Sequence, residues 1–407
     1  MGENSNEAID GKQIVRFDRD TIEREIRQRV RQVIEQVVEE ELEAALGAKP
    51  SQRVGESRRG YRHGYRERTL TTSTGPTTFR MPRGRLLIDD GGRQEWESRT
   101  VARYERRSQR VDEAIVGVYL SGANTRRIRG ALAPLLRGGP LSKDAVSRLV
   151  GRLKEAFEHW QQRDLQAEKI RYLYMDGWYP KVRIDKKRVR VPVLVTLGTR
   201  ENGERVVIDL RIAGEESSAS WGEVITALGQ RRIGVPAAAV IDGNPGLAQA
   251  LQTQWKTIQI QRCTTHKLRN LLAKAPARLR EELGEDYRRM IYAASAAEVA
   301  KAREKFGKKW KPKCAAVIAS LQEAGEELFT FTHFPPSQWK ALRTTNAIER
   351  INEEFRRRTK TQASLPNEDA VVLLMYGLLR SGQIRLRRMV GWTDIPRTKA
   401  AVSAEAA

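Results

Sequence analysis

Asp176 ends the apolar run YLYM, and Asp242 ends the apolar run AAAVI. If the two runs are neighbouring strands of one sheet, both carboxylates emerge at the same rim. Carboxylates so placed are hard oxygen donors for a pair of divalent cations about 3.5–4 Å apart, one activating an attacking oxygen and one stabilising a leaving oxygen in phosphoryl transfer. Each aspartate is also followed by glycine, and Asp-Gly is a common turn dipeptide at strand ends. Taken singly, each is a turn; the two together, in a strongly basic chain, point to a metal site. Asp185, in the charged run IDKKR, and Asp209, on the alternating solvent face of a strand, are weaker candidates.

A third carboxylate is expected from the helical segment TTNAIERINEEFRRRTK. Glu349 and Glu353 stand four residues apart and share a face, so helical geometry alone does not choose between them, while Glu354 turns away. Arg350, Arg356, Arg357, Arg358 and Lys360 give this helix a basic side suited to a nucleic-acid backbone, against the ordinary explanation of a solvated face. Cys263 and His266 form a Cys-x-x-His pair. With Cys314 and His333 they would make four zinc ligands, but the separations are irregular and the second pair has no compact motif.

The elements that must position these groups follow from composition and periodicity. The chain has 407 residues and a formal charge of +23, with 74 Lys and Arg against 51 Asp and Glu, 40% hydrophobic residues and two cysteines. This composition excludes wholesale disorder and a disulfide framework, fits a reducing compartment, and selects a polyanionic partner, nucleic acid before acidic membrane. No apolar stretch reaches the roughly 20 residues of a membrane span, and the start lacks a signal-peptide layout, so a cytoplasmic location is expected.

A helix with Ile22, Ile26, Val30, Val33, Ile34, Val37, Val38 and Leu42 at helical spacing is expected to open on an Asp20–Glu23 capping box and to end at Gly47. Within 1–48 it either packs on its own domain or pairs with a second copy. Residues 49–110 interleave arginine with tyrosine and glycine; Arg62, Tyr65 and Arg66 are candidates for phosphate and base contact, and short strands are expected around Gly75-Pro76. Over 111–165 a three-helix pattern with a break at Ser121-Gly122 resembles a helix-turn-helix. Its last helix is capped by Ser142, buries Ala145, Val146, Leu149, Val150 and Leu153, and leaves Lys143, Ser147, Arg148 and Arg152 outward. From Ile170 the order is β, β, β, α, β, α, β, the second strand long with a turn near 185–187. That order fits an α/β fold of RNase H-like type over 166–265, interrupted by an all-α insertion over 266–340 and completed by helices over 341–392, with a tail over 393–407.

The strings YLYMDGWYPKVR, VIDGNPGL, RCTTHKLRNLLAKAP and TTNAIERINEEFRRRTK, in this order, with RHGYRERTL and RYERRSQRVDEAI upstream, resemble the Mutator-type transposases of bacterial insertion sequences. The resemblance runs from about Tyr61 to Trp392. It implies an RNase H-like DDE catalytic core with a helical insertion, a mainly helical DNA-binding region upstream, and a divalent metal, magnesium or in its place manganese. It also implies movement of a DNA element.

Carried over position by position, the catalytic and metal-holding triad falls on Asp176, Asp242 and Glu349, which selects Glu349 over Glu353. Cys263 and His266 fall in the family's Cys-x-x-His signature, where His266 would orient the site or contact a phosphate. Trp221 falls on a tryptophan position that would stack on a displaced base, core packing being the alternative. Lys267 and Arg269 of the insertion join the DNA-contact candidates. Asp242 is followed by Gly-Asn-Pro where the family often has Ser-Asp-x-His, so the carboxylate is retained and its surroundings differ.

The expected function is binding of terminal inverted repeats, metal-dependent strand cleavage and 3′-hydroxyl transfer into target DNA by a homodimer or larger assembly. The rivals are an inactive helix-turn-helix DNA-binding protein and an RNase H-like nuclease without strand transfer.

Overall fold

A computed structural model describes residues 19–52, 58–88, 91–121, 123, 125–137, 141–184, 187–361, 365 and 367–396. The polar lead, most of the tail, the Gly122 break and the Asp185 turn lie outside the described residues, as do the side chains of Asp20 and Lys360. The chain divides into two compact units. One extends to Tyr119 and includes Thr125–Leu149; the other comprises Leu120–Asn124 and Val150 onward.

In the first unit, α1 (Arg19–Leu46) precedes an antiparallel hairpin of β1 (Gly60–Thr72) and β2 (Gly75–Leu87), and β3 (Arg93–Glu95) pairs with β2. The hairpin turns at Gly75, whose φ of +108° disfavours any side chain. One sheet face is apolar: Leu70, Phe79 and Met81 pack with Val38 of α1 and with Val101. Carboxylates of α1 fasten the sheet. Glu35 accepts the Arg80 backbone N–H at 2.8 Å, and Glu41 accepts the Thr100 backbone N–H and the Ser98 and Thr100 hydroxyls.

The expectation of a mainly helical upstream region therefore holds for α1 and beyond Ser108, and fails between them, where residues 60–95 carry three strands. Gly60–Thr72 and Gly75–Leu87 form strands of 13 residues each, not short ones, and the second alternates buried and open positions over Gly75–Met81. Helices α2 (Gln109–Leu120), α3 (Thr125–Ala131), α4 (Ala133–Leu136) and α5 (Lys143–Gln162) follow. Ser142 caps α5, its Oγ accepting the Ala145 N–H at 3.1 Å. The division between the units falls within α5, between Leu149 and Val150. Beyond that point Phe157 and Trp160 pack on Tyr376.

The second unit is built on a five-stranded sheet. Its strands are β4 (Ile170–Trp178), β7 (Val193–Arg200), β8 (Arg205–Ile212), β9 (Ala238–Ile241) and β10 (Gln259–Arg262), and β5 (Lys181–Ile184) with β6 (Lys187–Arg190) forms a separate hairpin. The sheet order is β10-β9-β4-β7-β8. β4, β7 and β8 are antiparallel neighbours, whereas β9 and β10 run parallel to β4. The long second strand expected from sequence is thus three strands. Pro192 lacks the N–H that a ladder requires and separates the hairpin from β7.

Helices α6 (Ser218–Gln230) and α7 (Pro245–Gln254) cover one sheet face, where Leu173, Met175, Ala239 and Ile241 meet Trp221, Ile225, Leu247 and Leu251. Burying each such aliphatic side chain contributes roughly 1.5–3 kcal/mol. A helical excursion follows β10, through α8 (Thr264–Lys274), α9 (Arg280–Ile291), α10 (Ala296–Lys313), α11 (Ala315–Ala324) and α12 (Pro336–Leu342), before α13 (Asn346–Thr361) and α14 (Asp369–Arg380).

Asp209 is not on a solvent face. It is 1% exposed and pairs with Arg231 at 3.1 Å, because α5, α6 and the following loop close over β8 and bring the guanidinium onto it. Among the described residues no helix is long and apolar enough to cross a membrane.

Candidate active site

Sheet register aligns the two aspartates. Met175 of β4 lies opposite Ile241 of β9, and the strands are parallel, so the next residues, Asp176 and Asp242, stand side by side at the carboxyl-terminal rim. Side chains alternate along a strand, and Met175 and Ile241 point into the α6–α7 core. Asp176 and Asp242 therefore share the opposite face. Trp178 lies on that face too and packs on Phe355 of α13 with ring centroids 5.8 Å apart.

The third carboxylate reaches this rim through Cys263. Arg262 of β10 lies opposite Ile241, and the Cys263 N–H donates to the Ile241 carbonyl at 2.7 Å, which sets Cys263 beside Asp242. The buried sulfur accepts the Thr345 backbone N–H and hydroxyl, each at 3.4 Å. Thr264 donates its N–H and hydroxyl to the Arg343 carbonyl, both at 2.9 Å. The point where the helical excursion leaves the sheet is thus stitched to the point where it returns. Thr345 in turn accepts the backbone N–H of Glu349, which occupies the first turn of α13.

The electrostatics follow from this crowding. Asp176 is 9% exposed and makes no ion pair with Lys or Arg among the described residues. Burial above all, then the charges of Asp242, Glu216 and Glu349, push its carboxyl up to about 7 against the pull of His266. His266 is held up to about 9, first by its hydrogen bond with the Cys263 sulfur, then by the negative charge of Cys263, Asp176 and Asp242, with burial opposing. Asp242 Oδ1 accepts the Asn244 N–H at 3.0 Å, and Asn244 caps α7. Gly243, at φ +104°, lies under the Arg262 guanidinium, which a Cβ would approach to 2.7 Å. Glu349 faces Arg269 at 3.4 Å, whereas Glu353 is exposed. No three His, Cys, Asp or Glu side chains among the described residues are grouped closely enough to hold a metal ion.

One acidic residue was not foreseen. The Glu216 carboxylate accepts the Tyr179 hydroxyl at 2.5 Å and the Trp221 indole N–H at 3.2 Å. It lies against the backbone of Gly177, where a Cβ would stand 2.2 Å from Oε2. Its one sequence signal is the glycine directly after Asp176.

Several DNA-contact candidates are corrected. Trp221 is 0% exposed, locked in the α6–α7 core, and has no ring face for a base. Lys267 is 3% exposed, with Nζ donating to Glu323 at 2.7 Å and to Ser320 at 3.3 Å. Arg262 and Lys267 together hold Glu323 down to about 2. Arg62 is half-buried against Glu39 and Glu43 of α1. Tyr65, Arg66, Lys143, Ser147, Arg148, Arg152, Arg269, Arg350, Arg356 and Arg357 are exposed, and Arg358 is half-buried beside Glu354.

The sequence matches the family described as Transposase, Mutator family, over residues 4–385. The chain belongs to the Mutator family of transposases. Among its relatives, the transposase for insertion sequence element IS406 of Burkholderia multivorans is 29% identical over 80% of this chain and 82% of its own length. The transposase for insertion sequence element IS256 in transposon Tn4001 of Staphylococcus aureus is 28% identical over 80% and 81%. That for insertion sequence element IS905 of Lactococcus lactis is 29% identical over 79% and 80%. In this Mutator-family chain the Cys-x-x-His motif is engaged inside the protein: the Cys263 sulfur accepts both Thr345 donors, and His266 lies near enough to Cys263, Asp176 and Asp242 for their negative charge to favour its protonated form.

Proposed function

We propose that this chain is a DDE transposase with an RNase H-like core, which binds the terminal inverted repeats of its insertion sequence, cleaves at their ends and joins the freed 3′-hydroxyls to target DNA. The observation that carries this reading is the alignment of Asp176 and Asp242 on adjacent parallel strands, with Glu349 brought to the same rim by the Cys263–Thr345 contact. The strand order, three antiparallel followed by two parallel, with α6 and α7 on one face and α13 against the other, supports the fold assignment.

The donor chemistry fits a divalent cation such as Mg²⁺ or Mn²⁺. Asp176 and Asp242 offer hard oxygens, Asp176 makes no ion pair with Lys or Arg among the described residues, and burial first, then the neighbouring negative charges, raises its carboxyl. Glu349 completes the set once its carboxylate turns from Arg269. Bound there, a metal pair supplies a nucleophilic oxygen at neutral pH and neutralises charge on the reacting phosphate.

The chain's own residues do the rest. His266, as an imidazolium, offsets the negative rim as a phosphate approaches. Arg269, Arg350, Arg356 and Arg357 hold the backbone on the α13 side, and Lys143, Arg148 and Arg152 of α5 contact the repeat. Two ends must be brought together, for which a homodimer in the bacterial cytoplasm is the simplest assembly.

Asp176→Asn tests this. Cleavage of the element's own flanking DNA is expected to fall by at least a thousandfold, with end binding within about threefold of wild type; unchanged cleavage would overturn the reading. Supercoiled plasmid with pre-cleaved ends separates transferase from nuclease, since joined products require transfer and hydrolysis gives nicks alone.

A further inference from the structure

Tyr179 is an exposed aromatic at the rim, 43% accessible and one residue beyond the end of β4. Its hydroxyl donates to Glu216 at 2.5 Å, and the other oxygen of that carboxylate is taken by the indole N–H of the fully buried Trp221. Gly177 gives Glu216 its place, since any side chain there would overlap the carboxylate. A surface ring would otherwise be free to rotate; here it is pinned through Glu216 to the core.

Placement gives this ring its use. Gly177 and Tyr179 alternate with Asp176 and Trp178, so they lie across the rim from α13. A strand lying over Asp176 and Asp242 meets arginines on the α13 side and Tyr179 on the α6 side. Burial and the Glu216, Asp242 and Asp176 charges all favour the protonated phenol, so the tether persists at neutral pH.

We propose that Tyr179 stacks on the nucleotide next to the scissile phosphate and that Glu216, anchored by Trp221, is the positioning residue that aims it. The base contact considered for Trp221 thereby passes to Tyr179. This rests on the transposase reading above. Aromatic stacking is sequence-tolerant, as a contact beside a cut site shared by two ends requires.

The test uses the full chain, a pre-cleaved end duplex with 2-aminopurine beside the scissile phosphate, and Ca²⁺ in place of Mg²⁺ to prevent turnover. Wild type is expected to quench the probe. Tyr179→Ala, and Tyr179→Leu as a variant that keeps apolar bulk, are expected to lose most of the quench and to weaken end binding about 5- to 100-fold. Tyr179→Phe and Glu216→Gln keep the ring and weaken its tether, so affinity stays within about threefold while the quench becomes heterogeneous and, in a parallel reaction on intact ends with Mg²⁺, cleavage positions scatter. A quench in a folded Tyr179→Leu protein equal to that of wild type overturns the stacking role and leaves the transposase reading intact. Wild type that neither binds nor cleaves the ends of its own element overturns both.

Discussion

Asp176 is held where its neighbours oppose its charge. Its carboxyl is raised to about 7, above the ordinary value for the unfolded chain. The folded state therefore keeps a proton that the unfolded state releases, so stability falls as pH rises from about 4 to about 7. Asn at this position does not titrate. In metal-free buffer Asp176→Asn is expected to stabilise the protein at pH 8 by up to about 4 kcal/mol, about three pKa units at about 1.4 kcal/mol each. The gain should vanish at pH 4, and denaturant melts at both values check it. At the next residue, Gly177→Ala forces a methyl into the Glu216 carboxylate. Overpacking of this kind costs roughly 1–3 kcal/mol, and urea titration should show it together with loss of the Tyr179 tether. Asp242 was legible as the carboxylate directly after its strand; Asp176 was legible as a carboxylate on an apolar strand but not as its end, since β4 runs on to Trp178 with Asp176 opposite Val195. Glu216 was not, because Glu215-Glu216 reads as an ordinary acidic loop and its partners come from two other elements.

At the scale of elements, the helix bearing Glu349 is only as well placed as its first turn. Cys263→Ala removes the acceptor for both Thr345 donors. Since misplacement of a catalytic group by about 1 Å can cost on the order of 100-fold, cleavage is expected to fall 10- to 100-fold with end binding preserved. Gel assays of both activities on one preparation separate the two effects. On the far side of the sheet, Asp209→Ala leaves Arg231 buried without its carboxylate and should cost about 3–5 kcal/mol in urea denaturation. Periodicity made α1, α5 and the core strands visible in the sequence. It misplaced Asp209, because alternation names two faces and does not say that both are covered.

Across the whole molecule, the +23 charge makes the proposed DNA binding a salt-dependent process. Affinity falls with salt in proportion to the phosphates neutralised, about 0.9 per contact on logarithmic axes. Replacing exposed Arg148 or Arg350 by Ala should each lower that slope by about 1, whereas Lys267, already paired with Glu323, should leave it unchanged on removal of its charge. Fluorescence anisotropy on one end duplex across a salt series decides this.

By itself the sequence determined the charge, the apolar runs that lead into the two aspartates, the helical excursion after β10 and the string that marks Glu349, since each is a property of neighbouring residues. Tertiary structure alone decided which groups are available. Lys267 and Trp221 carry the right chemistry for DNA and are buried, while Glu216 and Tyr179 drew no notice and stand at the rim. Burial and partnership depend on residues far apart in the chain, here 56 positions between Lys267 and Glu323 and 37 between Tyr179 and Glu216, and no local pattern encodes them.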